Sequence, residues 1–112
     1  MEIDRKELLR NSLSLKVMSA RNTLRLLLRL RRILKDKSDP VLTESDRRGI
    51  SGCLKAVKSM LPKDLHQCEA SFTLSPDETV DTACSRVEET AGTLYMWYCR
   101  EKKTLARSYN PL

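Results

Sequence analysis

A chain of 112 residues fits one domain and can bury only a thin core. Aromatic residues make up 4% of it, so leucine must supply most of the apolar area, and three glycines with four prolines cannot punctuate a many-stranded sheet. The net charge of +6 is uneven: residues 1–63 hold 16 Lys/Arg against 7 Asp/Glu, and residues 64–112 hold 5 against 8. This split sets a basic surface suited to a polyanion apart from a mildly acidic remainder.

The first 37 residues contain neither proline nor glycine. Leu9, Leu13, Val17, Ala20, Leu24, Leu27 and Leu34 recur mostly three or four apart, which predicts a helix over about 3–37. Leu8, Leu15, Leu26, Leu30 and Ile33 form a second apolar flank, as expected of a helix packed against more than one neighbour. The segment Lys35-Asp36-Lys37-Ser38-Asp39-Pro40 ends it.

A second helix is predicted over about 44–61, capped by Thr43 or Ser45, with Asp46 three residues after Thr43 in a capping-box arrangement. Ile50, Cys53, Leu54, Val57, Met60 and Leu61 form its buried face, and Pro62 closes it. Gly49 and Gly52 each weaken this helix by roughly 1 kcal/mol relative to Ala, and admit close approach of another helix or a ligand backbone. Residues 63–74 carry the weakest signal, with Leu65, Phe72 and Leu74 expected to tuck under the bundle.

Ser75-Pro76-Asp77-Glu78 has a cap, a first-turn proline and a glutamate placed to reach back, which predicts a third helix over about 76–107. Val80, Cys84, Val87, Ala91, Leu94, Tyr98 and Leu105 give it a heptad-like seam. The fold expected is all-α: a small bundle of three main helices with a long N-terminal helix, a single domain completed by homodimerisation.

Cys53, Cys68, Cys84 and Cys99 include no CxxC pair, and Cys84 and Cys99 would stand roughly 22 Å apart on one helix, too far to bridge. They read as reduced packing residues. A metal site built on His66 and Cys68, or a Cys68 nucleophile with His66 as base, has neither the spacing nor an accompanying glycine-rich element, so no cofactor, metal or catalysis is expected. Residues 1–10 are charged and lack the apolar run of a secretory signal. Leu26-Leu27-Leu28 is far too short to span a membrane. The expected location is the cytoplasm, with the nucleus as alternative.

The functional constellation is Arg10, Arg21, Arg25, Arg29 and Arg32, which fall within about 100° on the first helix. Arginine's fork grips phosphate oxygens in pairs, which lysine cannot do. Arg47, Arg48, Lys55 and Lys58 form a smaller sector on the second helix. A solvated basic face without a partner is the alternative reading. Aromatics for stacking are almost absent from the basic half, and no base-reading signature occurs, which favours shape-and-phosphate recognition of a duplex. In general character the chain resembles the dimeric double-stranded-RNA-binding silencing suppressors of small RNA viruses; the resemblance is one of type and carries no residue across. The expected function is sequence-nonspecific binding of nucleic acid, duplex RNA before DNA. The alternative is a helical adaptor for another protein, using Leu94, Tyr95, Trp97 and Tyr98 as its partner or dimer contact. A third reading lays the first helix on an anionic membrane, but its two apolar flanks are better suited to burial in protein.

Overall fold

The computed structural model describes residues 5–66 and 72–109. It is all-α: α1 spans Arg5–Lys35, α2 Glu44–Met60 and α3 Val80–Ser108, with a 3-10 turn at Lys63–Leu65 and no strand among the described residues. The helices form a rod of 57 × 24 × 24 Å.

α1 and α3 pack antiparallel along their lengths: Arg31 meets Glu88 near one end and Arg10 meets Tyr109 at the other. At 17 residues, α2 is about half as long as α1 and covers only part of that pair. The core follows α2. In α1 the buried residues begin at Ala20, in α3 they end at Trp97, and Leu27, Ile50, Leu54, Val57, Val87 and Leu94 are its largest fully buried side chains. Leu9, on the predicted inner stripe, is therefore 70% exposed. Of the second flank, only Leu30 is well covered, facing Gly49 of α2, while Leu8, Leu15, Leu26 and Ile33 stay open to solvent. The expectation that this flank is packed against a neighbour holds at Leu30 alone.

The start of α2 follows its sequence signal. The Thr43 hydroxyl accepts from Asp46 N–H at 3.1 Å, and the Asp46 carboxylate accepts from Thr43 N–H at 3.3 Å. Lys37 Nζ lies 2.9 Å from that carboxylate and, with the Thr43 cap, holds it below its ordinary pKa.

The start of α3 departs from its signal. Glu78 does reach back to Ser75 N–H, at 3.3 Å, yet Ser75-Pro76-Asp77-Glu78 closes a single turn and α3 begins only at Val80. Arg47 explains the break. Its guanidinium donates to the carbonyls of Ser75, Pro76 and Glu78 at 3.1, 2.7 and 3.4 Å, engaging acceptors that a continuing helix would need. Thr79 is extended, Val80 N–H donates to Pro40 O at 2.9 Å, and the true cap is the Thr79–Thr82 pair. The heptad-like seam of α3 is spent on the chain's own core, with Val80, Val87, Ala91 and Leu94 buried. Cys84, Tyr98 and Leu105, on the same seam, are half-buried.

Glu78 anchors this junction. Its side chain is 4% exposed, accepts from Arg86 at 3.0 Å and from the Ser75 hydroxyl at 3.0 Å, and these bonds outweigh the burial that would raise its pKa, leaving it depressed. A carboxylate depressed in the folded state adds stability above its unfolded pKa, and this is lost as pH falls through the folded value. Glu78→Gln is expected to lower stability at pH 7 by about 1.5–3 kcal/mol. The gap to wild type should begin to shrink as pH falls below the unfolded carboxyl value of about 4.3 and close only after pH has fallen through the depressed folded value. Chemical denaturation across pH measures this; a gap unchanged at low pH would mean that the charge is not what matters.

Candidate nucleic-acid interface

α1 carries ten Lys/Arg and a single acid, Glu7, so few intrahelical ion pairs are possible. Arg21, Arg25, Arg29 and Arg32 are exposed and have no ion-pair or side-chain hydrogen-bond partner among the described residues. They form a ridge roughly 16 Å long. Their neighbour Arg31 points elsewhere, pairing with Glu88 at 2.9 Å, and Lys35 takes the same carboxylate at 3.3 Å. Those two cations hold the Glu88 carboxyl below its ordinary pKa. Glu88 is thus taken up by Arg31 and Lys35 and not by the ridge.

The other predicted phosphate ligands lie apart from this ridge. Arg10 is half-buried, its guanidinium 5.3 Å from the Tyr109 ring centroid, a cation–π contact that ties the ends of α1 and α3. Arg47 is the tether of the 75–78 turn and has its donors engaged. Arg48 is exposed and loosely paired with Glu44 at 3.7 Å, Lys55 is exposed, and Lys58 is half-buried. Leu30, which faces α2, stands about 140° around α1 from the centre of the ridge. α2 therefore packs on the side of α1 away from the arginines, and its cations do not continue their line.

Of the predicted partner contacts, Leu94 and Trp97 are core residues and correct that reading: both are covered within the chain itself. Tyr98 is half-buried, with Lys102 Nζ 5.8 Å from its ring centroid. Tyr95 is exposed, its ring 6.4 Å from that of Tyr98, and the adjacent Met96 is 74% exposed, a surface methionine that periodicity did not single out. With Leu24, Leu28, Ala91 and Gly92, Tyr95 lines a shallow open groove between α1 and α3.

His66 is a packing residue, its ring nitrogen 3.0 Å from Leu61 O and its edge against Phe72. Cys68 lies outside the described residues. Among the described residues no cluster of His, Cys, Asp and Glu is placed to hold a metal. Cys53, Cys84 and Cys99 are free thiols. Burial pushes the Cys53 thiol up, and burial followed by the neighbouring Glu88 does the same to Cys84. Iodoacetamide should therefore label both slowly at pH 7 and faster as pH rises past the ordinary thiol range, read by peptide mass spectrometry. Rapid labelling of either at pH 7 would contradict this environment.

No helix among the described residues is long and apolar enough to cross a membrane. Comparison with known proteins gives no match to a family model, a curated sequence or a solved structure.

Proposed function

We propose that α1 binds the phosphate backbone of duplex nucleic acid, duplex RNA before duplex DNA, without reading sequence. The observation that carries this reading is the ridge of four exposed arginines, unpartnered among the described residues, on a helix with one acid. Free guanidiniums need no ion pair broken before they grip phosphate, and each engaged phosphate releases counterions. Duplex RNA hides its bases in a deep, narrow major groove and is held through phosphates and 2′-hydroxyls, so a binder of it needs no base-reading side chains. Single strands are held by stacking, and α1 has no aromatic residue to offer.

The test is a binding panel of duplex RNA, duplex DNA and single strands of unrelated sequences at two salt concentrations. Duplex RNA should bind most tightly, with little dependence on sequence and marked weakening in salt. Absence of duplex binding at low salt, or equal affinity for single strands, would overturn the proposal.

A further inference from the structure

The outward apolar line of α1 has no role in phosphate binding. Leu8, Leu15, Leu26 and Ile33 are each about half exposed or more and fall within about 20° of one another on the helix, over roughly 37 Å. This line lies between the arginine ridge and α2. On α2, Gly49 lies against Leu30, and Gly52 and Ala56, three and four residues further on, fall within about 60° of it on the helix; all three are exposed. A Cβ at Gly52 would meet nothing within 4 Å, and one at Gly49 would make only an ordinary contact with Leu30 at 3.9 Å. Neither glycine is required by the chain's own packing, though each weakens α2.

We propose that this α1–α2 groove receives an acidic amphipathic helix of a partner protein, its apolar face on Leu26 and Ile33 and its backbone close to Gly49 and Gly52. Charge selects this occupant. By helix geometry Arg25 and Arg29 flank the apolar line on α1, and Arg48 and Lys55 stand about 40–60° beyond Gly52 on α2, so acidic flanks of a docked helix would meet cations on both edges. Two copies joined through their α1 faces would bring a basic surface onto a basic one, because α1 holds ten Lys/Arg to one acid. An anionic bilayer matches the charge and the exposed leucines, but it gains nothing from glycines, whereas a docked helix uses them to bring its backbone near. The groove is separate from the proposed phosphate contacts in its apolar wall, and shares only the arginine rim with them.

The probe is a synthetic peptide about five turns long, with leucines at three- and four-residue spacing and glutamates elsewhere, followed by fluorescence anisotropy. Its control is the same composition scrambled. The amphipathic peptide should bind about tenfold or more tighter than the scramble. Leu26→Ser with Ile33→Ser should weaken it by about tenfold or more, and so should Gly52→Glu, which places bulk and like charge in the groove. Gly52→Glu replaces glycine by a better helix former where nothing is crowded, so an unchanged or raised Tm separates blocked binding from misfolding. Duplex RNA binding by the Leu26/Ile33 variant should equal wild type, which keeps this test independent of the phosphate-binding proposal. Equal binding of the scramble, or none of either peptide, would overturn the inference. Capture by phosphatidylcholine/phosphatidylserine vesicles without peptide binding would overturn it in favour of a lipid surface. A dimer in sedimentation that Leu26→Ser and Ile33→Ser dissociate would overturn it in favour of a second copy.

Discussion

Leu94→Ala is expected to destabilise the protein by about 2–5 kcal/mol, the cost of a cavity where a fully buried leucine stood. For a small domain with a total stability of about 5–15 kcal/mol this is a large fraction, and Tm should drop by roughly 10 °C or more. The control is Met96→Ala, two residues along the same helix but 74% exposed, which should change stability by no more than about 0.5 kcal/mol. Had Leu94 been a partner contact, its truncation would leave the isolated chain intact and weaken only an assembly. Thermal melts of the two variants, with sedimentation to fix their mass, decide the matter. A Leu94→Ala protein that melts like wild type would remove the inward-facing seam of α3 from the fold.

Alanine at both Arg25 and Arg29 is expected to weaken duplex binding by about tenfold or more and to flatten its salt dependence. On a log–log plot each lost phosphate contact should remove about 0.9 from the slope for B-form DNA. Unrelated duplex sequences should lose affinity alike, since these side chains would touch phosphates and not base edges. Lysine at the same positions keeps the charge without the two-pronged grip and should give an intermediate affinity. Arg47→Ala should behave differently. Its guanidinium holds the carbonyls of Ser75, Pro76 and Glu78, so the variant should lose thermal stability and keep the wild-type salt slope. Normal binding by the Arg25/Arg29 variant, or a shallower slope for a folded Arg47→Ala, would show that the phosphate contacts lie elsewhere than on the ridge.

These two pairs of variants mark where sequence and tertiary structure divide the explanation. The period of leucines in the first helix, the Thr43–Asp46 box and the inner residues Ile50, Leu54 and Val57 of α2 were legible because they are local: a helix repeats every 3.6 residues, and a cap bonds three residues away. The placement of Arg21, Arg25, Arg29 and Arg32 on one sector was legible for the same reason. Which neighbouring charges are already engaged was not. Arg31 is answered by Glu88, 57 residues away, and Arg47 by a turn about 30 residues downstream, so only the packed fold separates them from the arginines left open.

The late start of α3 has the same origin. Ser75-Pro76-Asp77-Glu78 carries every local sign of a helix start, but a guanidinium from α2 takes its carbonyls and the α1–α2 loop takes the Val80 N–H. The seam of α3 reads as a dimer contact or as an internal one with equal ease, because periodicity records that a face is buried and not what buries it. Sequence by itself determined that there are three helices, the inner faces where they pack together and the sector that holds the arginines. Tertiary structure decided that α2, about half the length of α1, covers only part of it. That difference in length, which no periodicity reveals as a contact, leaves Leu8 and Leu15 in solvent, while Leu26 and Ile33 stay exposed because they sit on the flank of α1 that turns away from the core.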